Sequence, residues 1–547
     1  MKTRHSRLFL IGAAAVPLLL IAAENVDLSA LNRIKTEAFE HSKVMDHMFY
    51  LTDVNGPRLT GSPNYQAAGD WAVARLKEYG LVNVKEEKWG PFGRGWANKH
   101  FEMAMVEPQY SPLTGVVVGW TAGTNGVVTG EPMMVNIAKE EDFAKYKGKL
   151  MGKIVMTQPA SELAFPTTAP GHRYTMDELN AEAEAPMPGP SGLGPRRPNF
   201  PGFDPNMTPE ERRKAMEERR KFQEKVAEFY KTEGVIAQVT LGRGEGGIVF
   251  GPSPRSYDVK MPLPLPSVVL AAEHYNRIAR LMAHKIPVKL ALDIKNEIND
   301  QNLDSFNITG EIPGSGDKKD EIVMVGGHFD SWNYSTGATD NGAGSAVAME
   351  VMRILKQSGV TMNRTVRIGL WGGEEEGLLG SRAYVKEHFA DPEVMKPTAE
   401  HAKLSGYFNL DNGTGKIRGV YLQGNDMMRP IFEAWLAPFK DLGATTITIR
   451  NTGGTDHLSF DAVGIPGFQF IQDPMDYDSR THHSNMDNYD RIQAGDLMQA
   501  SAIMASCVYN TATRAEMLPR KPLPKAQPRR NREGGAGGPT PTAGGNN

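Results

Sequence analysis

The stretch from Glu321 to Ala346 limits the possible folds more than any other part of the chain. It opens with the apolar, β-branched run Ile322 to Val325, which two glycines cut off, and this pattern indicates a buried strand. His328 and Asp330 follow the strand, and Asp340 comes just before a helical pattern. In open α/β sheets, ligands bind beyond the carboxyl ends of the strands. One imidazole and two carboxylates at such a place therefore predict a metal site.

Alternating strands and helices continue this pattern towards the end of the chain. Further strands are predicted at 365–371, 406–410, 445–449 and 467–471, and helices at 344–357, 381–389 and 494–509. Strands that alternate with helices in this way are typical of an α/β fold, in which the helices pack on a largely parallel sheet.

Three of these predicted strands lead into groups of acidic or imidazole side chains. In chain order these are Glu374, Glu375 and Glu376, then Asp411, then His482, His483 and Asp487. Taken singly, each group is more often a surface loop or a turn than a site. Their placement at successive strand ends argues against coincidence. A mixed set of imidazoles and carboxylates without thiolates suits zinc, or manganese or cobalt in its place, better than calcium.

Composition excludes some classes of protein and favours others. The chain has 547 residues, which predicts two or more domains. Its net charge of −3 gives no reason to expect nucleic acid as a partner. The single cysteine, Cys507, excludes a framework of intrachain disulfides.

Residues 1–23 have the pattern of a secretory signal peptide. A basic start precedes the apolar run Leu8 to Ile21, and the small residues Ala22 and Ala23 follow it. The run is shorter than the roughly 20 residues of a membrane-spanning helix, so we expect cleavage and no stable membrane anchoring. The mature protein is therefore predicted to be exported, either into a bacterial periplasm or to the exterior.

Five motifs together resemble peptidase family M28, a family of di-zinc metallopeptidases. In chain order they are HFDSW, GATDNGAG, GEEEGLLGS, NLDNGTG and HHSNMDNYD. The earlier segment GPRLTGSPNY is similar to the N-terminal segment of the family, and HFDSW with the doubled histidine looks most like the carboxypeptidase Q branch. The resemblance implies a phosphorylase/hydrolase-like zinc peptidase sandwich with a mostly parallel central sheet, and an inserted β-rich protease-associated domain.

The resemblance divides the chain into several parts. Residues 24–115 and 296–515 would form the catalytic peptidase domain, and residues 116–295 the protease-associated domain. The stretch 162–231 interrupts the latter with a charge-rich helix, for which solvated surface, a lid and a dimer contact are all compatible functions. The tail 516–547 is rich in Pro, Arg and Gly, has little to bury, and is predicted to be disordered.

The resemblance also implies a site for two Zn²⁺ ions per chain. The implied ligands are His328, Asp340, Glu375, Asp411 and His483. Asp340 would bridge the two ions, of which one would add His328 and Asp411 and the other Glu375 and His483. The peptide bond that follows Asp340 is expected to be cis in this family.

Further residues would act beside the ligands. Glu374 would be the general base, and Asp330 would hydrogen-bond His328 and raise its basicity. In many members a tyrosine stands where this chain has His482 and stabilises the oxyanion. Here either His482 or Tyr477 would take that part. Glu376 occupies the variable position of its motif, and no catalytic part is implied for it.

The expected reaction is hydrolysis of a peptide bond near a chain end, with a peptide or dipeptide as substrate. Both an aminopeptidase and a dipeptidase of the carboxypeptidase Q kind fit the motifs, and a homodimer is compatible with them. A non-catalytic receptor or binding protein on the same scaffold is an alternative, but it would be expected to lack ligands or the base. A second alternative is an acyltransferase of the glutaminyl cyclase type, which would hold one zinc ion.

Overall fold

The computed structural model describes residues 24–188 and 207–526, so the predicted signal peptide lies outside it. The helices of the described residues are α1 Leu28–Glu40, α2 Val44–Phe49, α3 Pro63–Glu78, α4 Phe143–Tyr146, α5 Met176–Ala183, α6 Pro209–Thr232, α7 Ala272–Ala283, α8 Ala343–Gln357, α9 Leu379–His388, α10 Arg429–Leu436, α11 His457–Asp461 and α12 Ala494–Thr513. The strands are β1 Val82–Trp89, β2 Gly95–Glu107, β3 Ser111–Pro112, β4 Gly115–Val117, β5 Val128–Met134, β6 Lys153–Met156, β7 Ala237–Leu241, β8 Ser267–Leu270, β9 Lys289–Asn299, β10 Ser305–Ile312, β11 Ile322–His328, β12 Thr365–Trp371, β13 Leu404–Asn409, β14 Ile417–Tyr421, β15 Thr446–Thr448 and β16 Gly467–Gln472.

The first of two sheets has eight strands in the order β1-β10-β12-β11-β13-β16-β14-β15. Its central strands β12, β11, β13 and β16 run parallel to one another. The pairs β1–β10, β10–β12 and β14–β16 are antiparallel. The predicted α/β class with a mostly parallel central sheet is therefore confirmed, with antiparallel strands towards both edges.

Helices cover both faces of this sheet, as the apolar run in β11 requires. Val323 and Val325 belong to the core cluster that also contains the buried residues of α8 and α12. Ile322 and Met324 belong to another cluster, together with Tyr384 of α9 and residues of α11. Successive side chains of a strand point to opposite faces, so a strand buried on both faces is apolar throughout.

The second sheet also has eight strands, in the order β3-β2-β9-β5-β6-β7-β8-β4. All of them lie between β1 and β10 in the chain, so this unit interrupts the sequence of the first sheet. Its core contains Trp96 and Trp120, and the same cluster includes Trp332 and Tyr334 from the loop after β11. The two units therefore pack against each other directly beside that loop.

The second sheet begins earlier than the sequence indicated. The predicted boundary lay at residue 116, but Gly95–Glu107 already forms the longest strand of the sheet, β2, paired with β9 along its whole length. Charged and polar residues in the middle of β2 interrupt its apolar alternation, which is why the pattern did not indicate a strand. That this unit is of the protease-associated type stays a prediction.

Local signals explain where the main helices begin. Ser62 caps α3 by accepting the N–H of Tyr65 at 3.1 Å, and Pro63 occupies the first helical position. Thr208 and Glu211 form a capping box at the start of α6, which is the charge-rich helix predicted within 162–231. The far end of α6 buries Val226 and Tyr230 in a small cluster of the second unit, so the charge-rich helix is anchored at its carboxyl end.

The part of the tail that the structure describes packs on the peptidase unit. Leu518 is 2 % exposed, and its N–H donates to the hydroxyl of Ser405 at 3.1 Å. Lys521 lies 2.6 Å from the carboxylate of Asp461. Residues 516–526 thus differ from the predicted disordered tail, and residues 527–547 lie outside the described range. Within the described residues, no helix has the length and apolar character needed to cross a membrane.

Candidate metal centre

The carboxyl ends of the four parallel strands meet at one edge of the first sheet. His328 at the end of β11 pairs with Trp371 at the end of β12, and Gly326 pairs with Asn409 at the end of β13. Asn409 in turn pairs with Gln469 in β16. The segments that follow these strands therefore leave the sheet side by side, and they contain the side chains that the sequence placed at strand ends.

The first group of side chains surrounds the imidazole of His328. Its Nε2 atom lies 3.3 Å from Asp340 Oδ1 and 3.4 Å from Asp411 Oδ1. A third oxygen, Glu374 Oε2, is 4.0 Å away. His328 and Asp340 are buried, and the Asp340–Asn341 peptide bond is cis, as the resemblance implies. One nitrogen and several carboxylate oxygens thus face a common point.

The second group is built on His483, in the loop after β16. Its Nε2 atom lies 2.9 Å from Glu375 Oε2 and 3.2 Å from Asp340 Oδ2. Asp340 therefore presents one carboxylate oxygen to each group. The structure brings the five side chains named as ligands into two adjoining groups that share a single carboxylate.

Several atoms of these groups are buried without a hydrogen bond. Among the described residues, His328 Nε2, Asp340 Oδ2 and Glu375 Oε1 have no hydrogen-bond partner of suitable geometry, although charged atoms lie close by. A buried polar atom without a partner is costly and calls for an explanation such as a bound ion. The nitrogen and oxygen atoms of the two groups lie close together but do not have hydrogen-bond geometry. Ligand atoms around a cation have this arrangement.

The pKa values in the centre reflect carboxylates crowded in a buried place. Burial alone would lower the pKa of His328, but Asp411 and other carboxylates outweigh it and raise this pKa well above its ordinary value. For His483 burial is likewise outweighed, chiefly by Glu375, and the pKa rises to about 10. Burial and the charge of Asp340 raise the pKa of Glu375 to about 7. The negative charge is thus in excess, and bound cations would neutralise it.

Asp330 makes contacts that the resemblance did not imply. The Nδ1 atom of His328 lies 3.1 Å from the backbone carbonyl oxygen of Asp330, whereas the carboxylate is 3.6 Å away, too far for a hydrogen bond. The carboxylate instead accepts the N–H groups of Glu374 and Glu375 and the hydroxyl of Thr60, each at 3.2 Å. The hydrogen bond to His328 therefore runs to the backbone, and the carboxylate of Asp330 holds the acidic segment after β12.

Asp487 has a similar function for the shared carboxylate. It is 4 % exposed, and its oxygens accept the N–H of Thr339 at 2.6 Å and that of Asp340 at 3.1 Å. Burial and the charge of Asp340 raise its pKa to about 7. The sequence placed Asp487 with the possible ligands, but these bonds make it a support for the backbone of Asp340. Only the position of Asp487 after the two histidines hinted at a place in the site.

His482 and Tyr477 lie together at the edge of the second group. The Nε2 atom of His482 is 3.7 Å from Asp340 Oδ2, and its ring lies 3.9 Å from that of His483 and 4.8 Å from that of Tyr477. Ligand atoms of Asp340, His482 and His483 all lie within 4.8 Å of one another. Burial and His483 lower the pKa of His482 to about 4, so its ring is neutral. His482 is therefore near enough to coordinate a cation, which the sequence did not predict.

Two further acidic residues are buried next to the centre. Glu376 is 1 % exposed and Asp456 is fully buried, and none of their carboxylate oxygens has a hydrogen bond among the described residues. Burial raises the pKa of Glu376 well above its ordinary value, and that of Asp456 to about 7. The variable position of the motif is therefore an interior one. Arg255 of the second unit donates to the backbone carbonyl of Glu376 and so joins the two units there.

A small cavity opens beside the second group. Its volume is about 180 Å³, and its lining includes Trp332, Tyr334, Asp340, Glu375 and His483. Aromatic rings and the shared carboxylate thus line the same cavity, and the rings of Trp332 and His483 are 6.0 Å apart.

Comparison with known proteins agrees with this geometry. The model of peptidase family M28 matches residues 307–508. Carboxypeptidase Q of Mus musculus is 25% identical over 506 residues, which cover 91% of each chain. The crystal structure of a peptidase M28 precursor from Shewanella amazonensis SB2B has a TM-score of 0.60 and 23% identity, and the match covers 91% of this chain and 98% of that one.

A second solved structure has the same fold. BSAP, a zinc aminopeptidase from Bacillus subtilis, matches with a TM-score of 0.51 and 20% identity over 86% of this chain and 95% of its own. The matched family region contains all four parallel strands and every side chain of the two groups. Residues 307–508 are therefore a peptidase family M28 domain, in a chain that is similar to Carboxypeptidase Q over most of its length.

Proposed function

We propose that this chain is an exported, zinc-dependent exopeptidase that hydrolyses peptide bonds near a chain terminus. The observation that carries the proposal is the pair of ligand groups that share Asp340. His328 Nε2 lies 3.3 Å from one oxygen of that carboxylate, and His483 Nε2 lies 3.2 Å from the other. Membership of a peptidase family and the similarity to Carboxypeptidase Q support the reaction type.

The residues of the centre fit zinc on two grounds. Their buried nitrogen and oxygen atoms without hydrogen bonds are those that an ion would engage. The donor set consists of imidazoles and carboxylates without sulfur, which suits zinc. His328 and Asp411 would hold one ion, Glu375 and His483 the other, and Asp340 would contact both. When bound, the ions would supply Lewis acidity, which lowers the pKa of water and polarises a carbonyl group.

Glu374 is the proposed general base. It adjoins the ligand Glu375, and its Oε2 atom lies 4.0 Å from His328 Nε2, on the side of the first group. Burial and the nearby carboxylates raise its pKa well above the ordinary value, which strengthens this carboxylate as a proton acceptor. Glu374 would accept a proton from the attacking water and deliver it to the leaving amine. Asp330 would keep Glu374 in place through the backbone N–H.

A hydrogen-bond donor for the oxyanion comes from His482 or Tyr477. Burial and the charges of Asp340 and Asp411 raise the pKa of the Tyr477 hydroxyl well above its ordinary value, which supports a neutral donor near the carboxylates. The ring of His482 is neutral as well and stands 3.7 Å from Asp340. Because His482 is also near enough to act as a ligand, we favour Tyr477 as the donor.

The proposed substrate class rests on the lining of the cavity and on the relatives. The cavity beside the second group places Glu375 and His483 next to the aromatic rings of Trp332 and Tyr334, and the substrate we propose for it is a short peptide or dipeptide. The relatives named above include both a carboxypeptidase and an aminopeptidase, so either end of the substrate is compatible with the site. Export rests on the sequence pattern of residues 1–23, and homodimer formation stays a prediction.

Two other functions fit the site less well. A binding protein on this scaffold would be expected to have lost ligands or the base, whereas the two complete groups and Glu374 are present. A glutaminyl cyclase-like acyltransferase would need one ion, whereas two groups of donors stand side by side. Metal stoichiometry separates this last alternative from the proposal.

The decisive experiment measures zinc content and hydrolysis together in the wild type and in Glu374→Gln. Free dipeptides, N-blocked peptides and amino-acid arylamides would be the substrates. We expect about two zinc ions per chain in both proteins, and a loss of activity of at least about 100-fold in the variant. The preferred substrate will show which terminus is bound. A wild type that holds no zinc and cleaves none of these substrates after zinc is supplied would refute the proposal.

A further inference from the structure

The loop after β16, residues 473–487, contains both histidines of the second ligand group. His483 contacts Asp340 and Glu375 from this loop at 3.2 and 2.9 Å. Because Asp340 and Glu375 follow other strands, the path of the loop determines whether the imidazole meets the two carboxylates. Whatever holds the loop therefore acts on the second group.

The interrupting stretch 162–231 contacts the start of this loop. His172 and Met475 exchange two backbone hydrogen bonds, N–H to carbonyl in each direction, both 2.9 Å long. This exchange is one pair of an antiparallel ladder, formed between a segment of the interruption and the loop. The interruption thus contributes directly to the conformation of the loop.

Arg173 adds charged contacts next to this backbone pair. Its Nη1 atom lies 2.9 Å from Asp473 Oδ2 and 2.7 Å from Asp496 Oδ2. These two carboxylate side chains are 0 % and 6 % exposed, so both need a partner. Arg418 also reaches Asp473, at 2.8 Å. For Asp496, Arg173 is the one basic side chain within 4 Å in the described part of the chain.

A different segment of the second unit holds the far end of the loop. The N–H of Gly251 donates to the carbonyl of His483 at 2.8 Å, and the N–H of Asn485 donates to the carbonyl of Val249 at 3.1 Å. The two histidines therefore lie between two points of attachment. Both points are supplied by residues that the chain inserts between β1 and β10, not by the peptidase sheet itself.

We propose that Arg173 is a positioning residue of the metal centre. Through Asp473 and the adjoining His172–Met475 pair, it holds the loop so that His483 faces Asp340. The inference rests on the proposed di-zinc function and gives the interrupting stretch a part in forming the second ion site. Without Arg173, no basic side chain among the described residues would lie beside the buried carboxylate of Asp496. The link from Asp496 to Asp473 would be lost, and the start of the loop would shift away from Asp496.

The test is a calorimetric zinc titration of the metal-free full chain, in the wild type and in Arg173→Met, which keeps the aliphatic stem but donates no hydrogen bond. We expect the affinity of one zinc ion to fall about 10- to 100-fold, the effect of losing hydrogen bonds between charged groups, while the other stays within about twofold. At limiting zinc, kcat should fall together with the affinity for that ion, whereas KM should not change. Arg173→Lys keeps the charge and should recover most of the affinity.

Arg450→Met is the matched control. It breaks another ion pair between the interruption and the peptidase unit, Arg450 Nη1 to Glu182 Oε1 at 2.5 Å, which lies outside the loop. This control should bind both ions as the wild type does. If Arg173→Met binds both ions normally, or loses both equally, the inference is overturned, because Arg173 would then be unimportant or merely structural.

Two further results separate a failure of the positioning role from a folding defect and from a failure of the proposed function. Should Arg173→Met not fold, Arg173→Lys decides, since Lys reaches fewer oxygens and should still weaken one ion alone, by about three- to fivefold. Normal binding of both ions by Arg173→Lys would in that case overturn the inference. A wild type that binds no zinc would refute the proposed function itself, whereas a di-zinc wild type with an unchanged Arg173→Met refutes the positioning role alone.

Discussion

Asp330→Asn tests whether the acidic segment after β12 depends on a buried carboxylate. Asp330 is fully buried, and its two oxygens accept the N–H groups of Glu374 and Glu375 at 3.2 Å each. Asparagine keeps the shape of the side chain but replaces one oxygen with an NH₂ group, which cannot accept. One backbone N–H would then face another donor, and the negative charge that strengthens the remaining bond would be gone.

The size of the effect follows from the bond that is lost. A hydrogen bond to a charged group contributes about 1.5–3 kcal/mol, which corresponds to about 10- to 100-fold in an equilibrium. We expect kcat at saturating zinc to fall about 10- to 100-fold, because Glu374 is displaced from the attacking water. The zinc affinity of the site that includes Glu375 should fall by a similar factor. KM should change little, since no group that contacts the substrate is removed.

The assay combines steady-state kinetics at saturating zinc with a zinc titration of the metal-free protein. Asp142→Asn is the matched control, because Asp142 is also buried and accepts two backbone N–H groups, at 2.9 and 3.2 Å, in the second unit. It should leave kcat and zinc binding unchanged. The reasoning is refuted if Asp330→Asn keeps its kcat and weakens only the site of His328, which would mean that Asp330 acts on that imidazole alone.

Two more predictions concern the oxyanion and the response to acid. Tyr477→Phe should lower kcat about 100- to 1,000-fold with both zinc ions retained, as loss of an oxyanion donor does; a normal kcat would transfer that role to His482. His47 is fully buried, and burial lowers its pKa to about 3, so below pH 6.5 the unfolded chain binds a proton that the folded protein does not. Stability should therefore fall as the pH drops, and between pH 7 and pH 5 the wild type should lose about 1–2 kcal/mol more than His47→Gln in urea unfolding. Equal losses would show that His47 does not titrate in this way.

Much of the fold was predictable because its signals are local. The apolar run that ends at Gly326 specifies a strand buried on both faces, and Ser62 with Pro63 specifies the start of a helix. Strand β2 was missed for an equally physical reason: its polar residues are accommodated at the surface of the second sheet, so no alternation marks it. Leu518 was assigned to a disordered tail because a few apolar residues among prolines give no signal, although the folded protein buries Leu518 in its main core cluster.

The candidate site, like the fold, was predictable from the sequence only in part. From the sequence alone, the order of polar residues after parallel strands predicted that imidazoles and carboxylates would converge, because the register of neighbouring strands brings their ends level. The resemblance to family M28 implied which of them are ligands: His328, Asp340, Glu375, Asp411 and His483. Which partner each supporting group finds depended on the tertiary structure. The carboxylate of Asp330 bonds to the segment after β12, and Asp487 bonds to the backbone of Asp340. Contacts of this kind join residues far apart in the chain, and no local pattern encodes the distance between them.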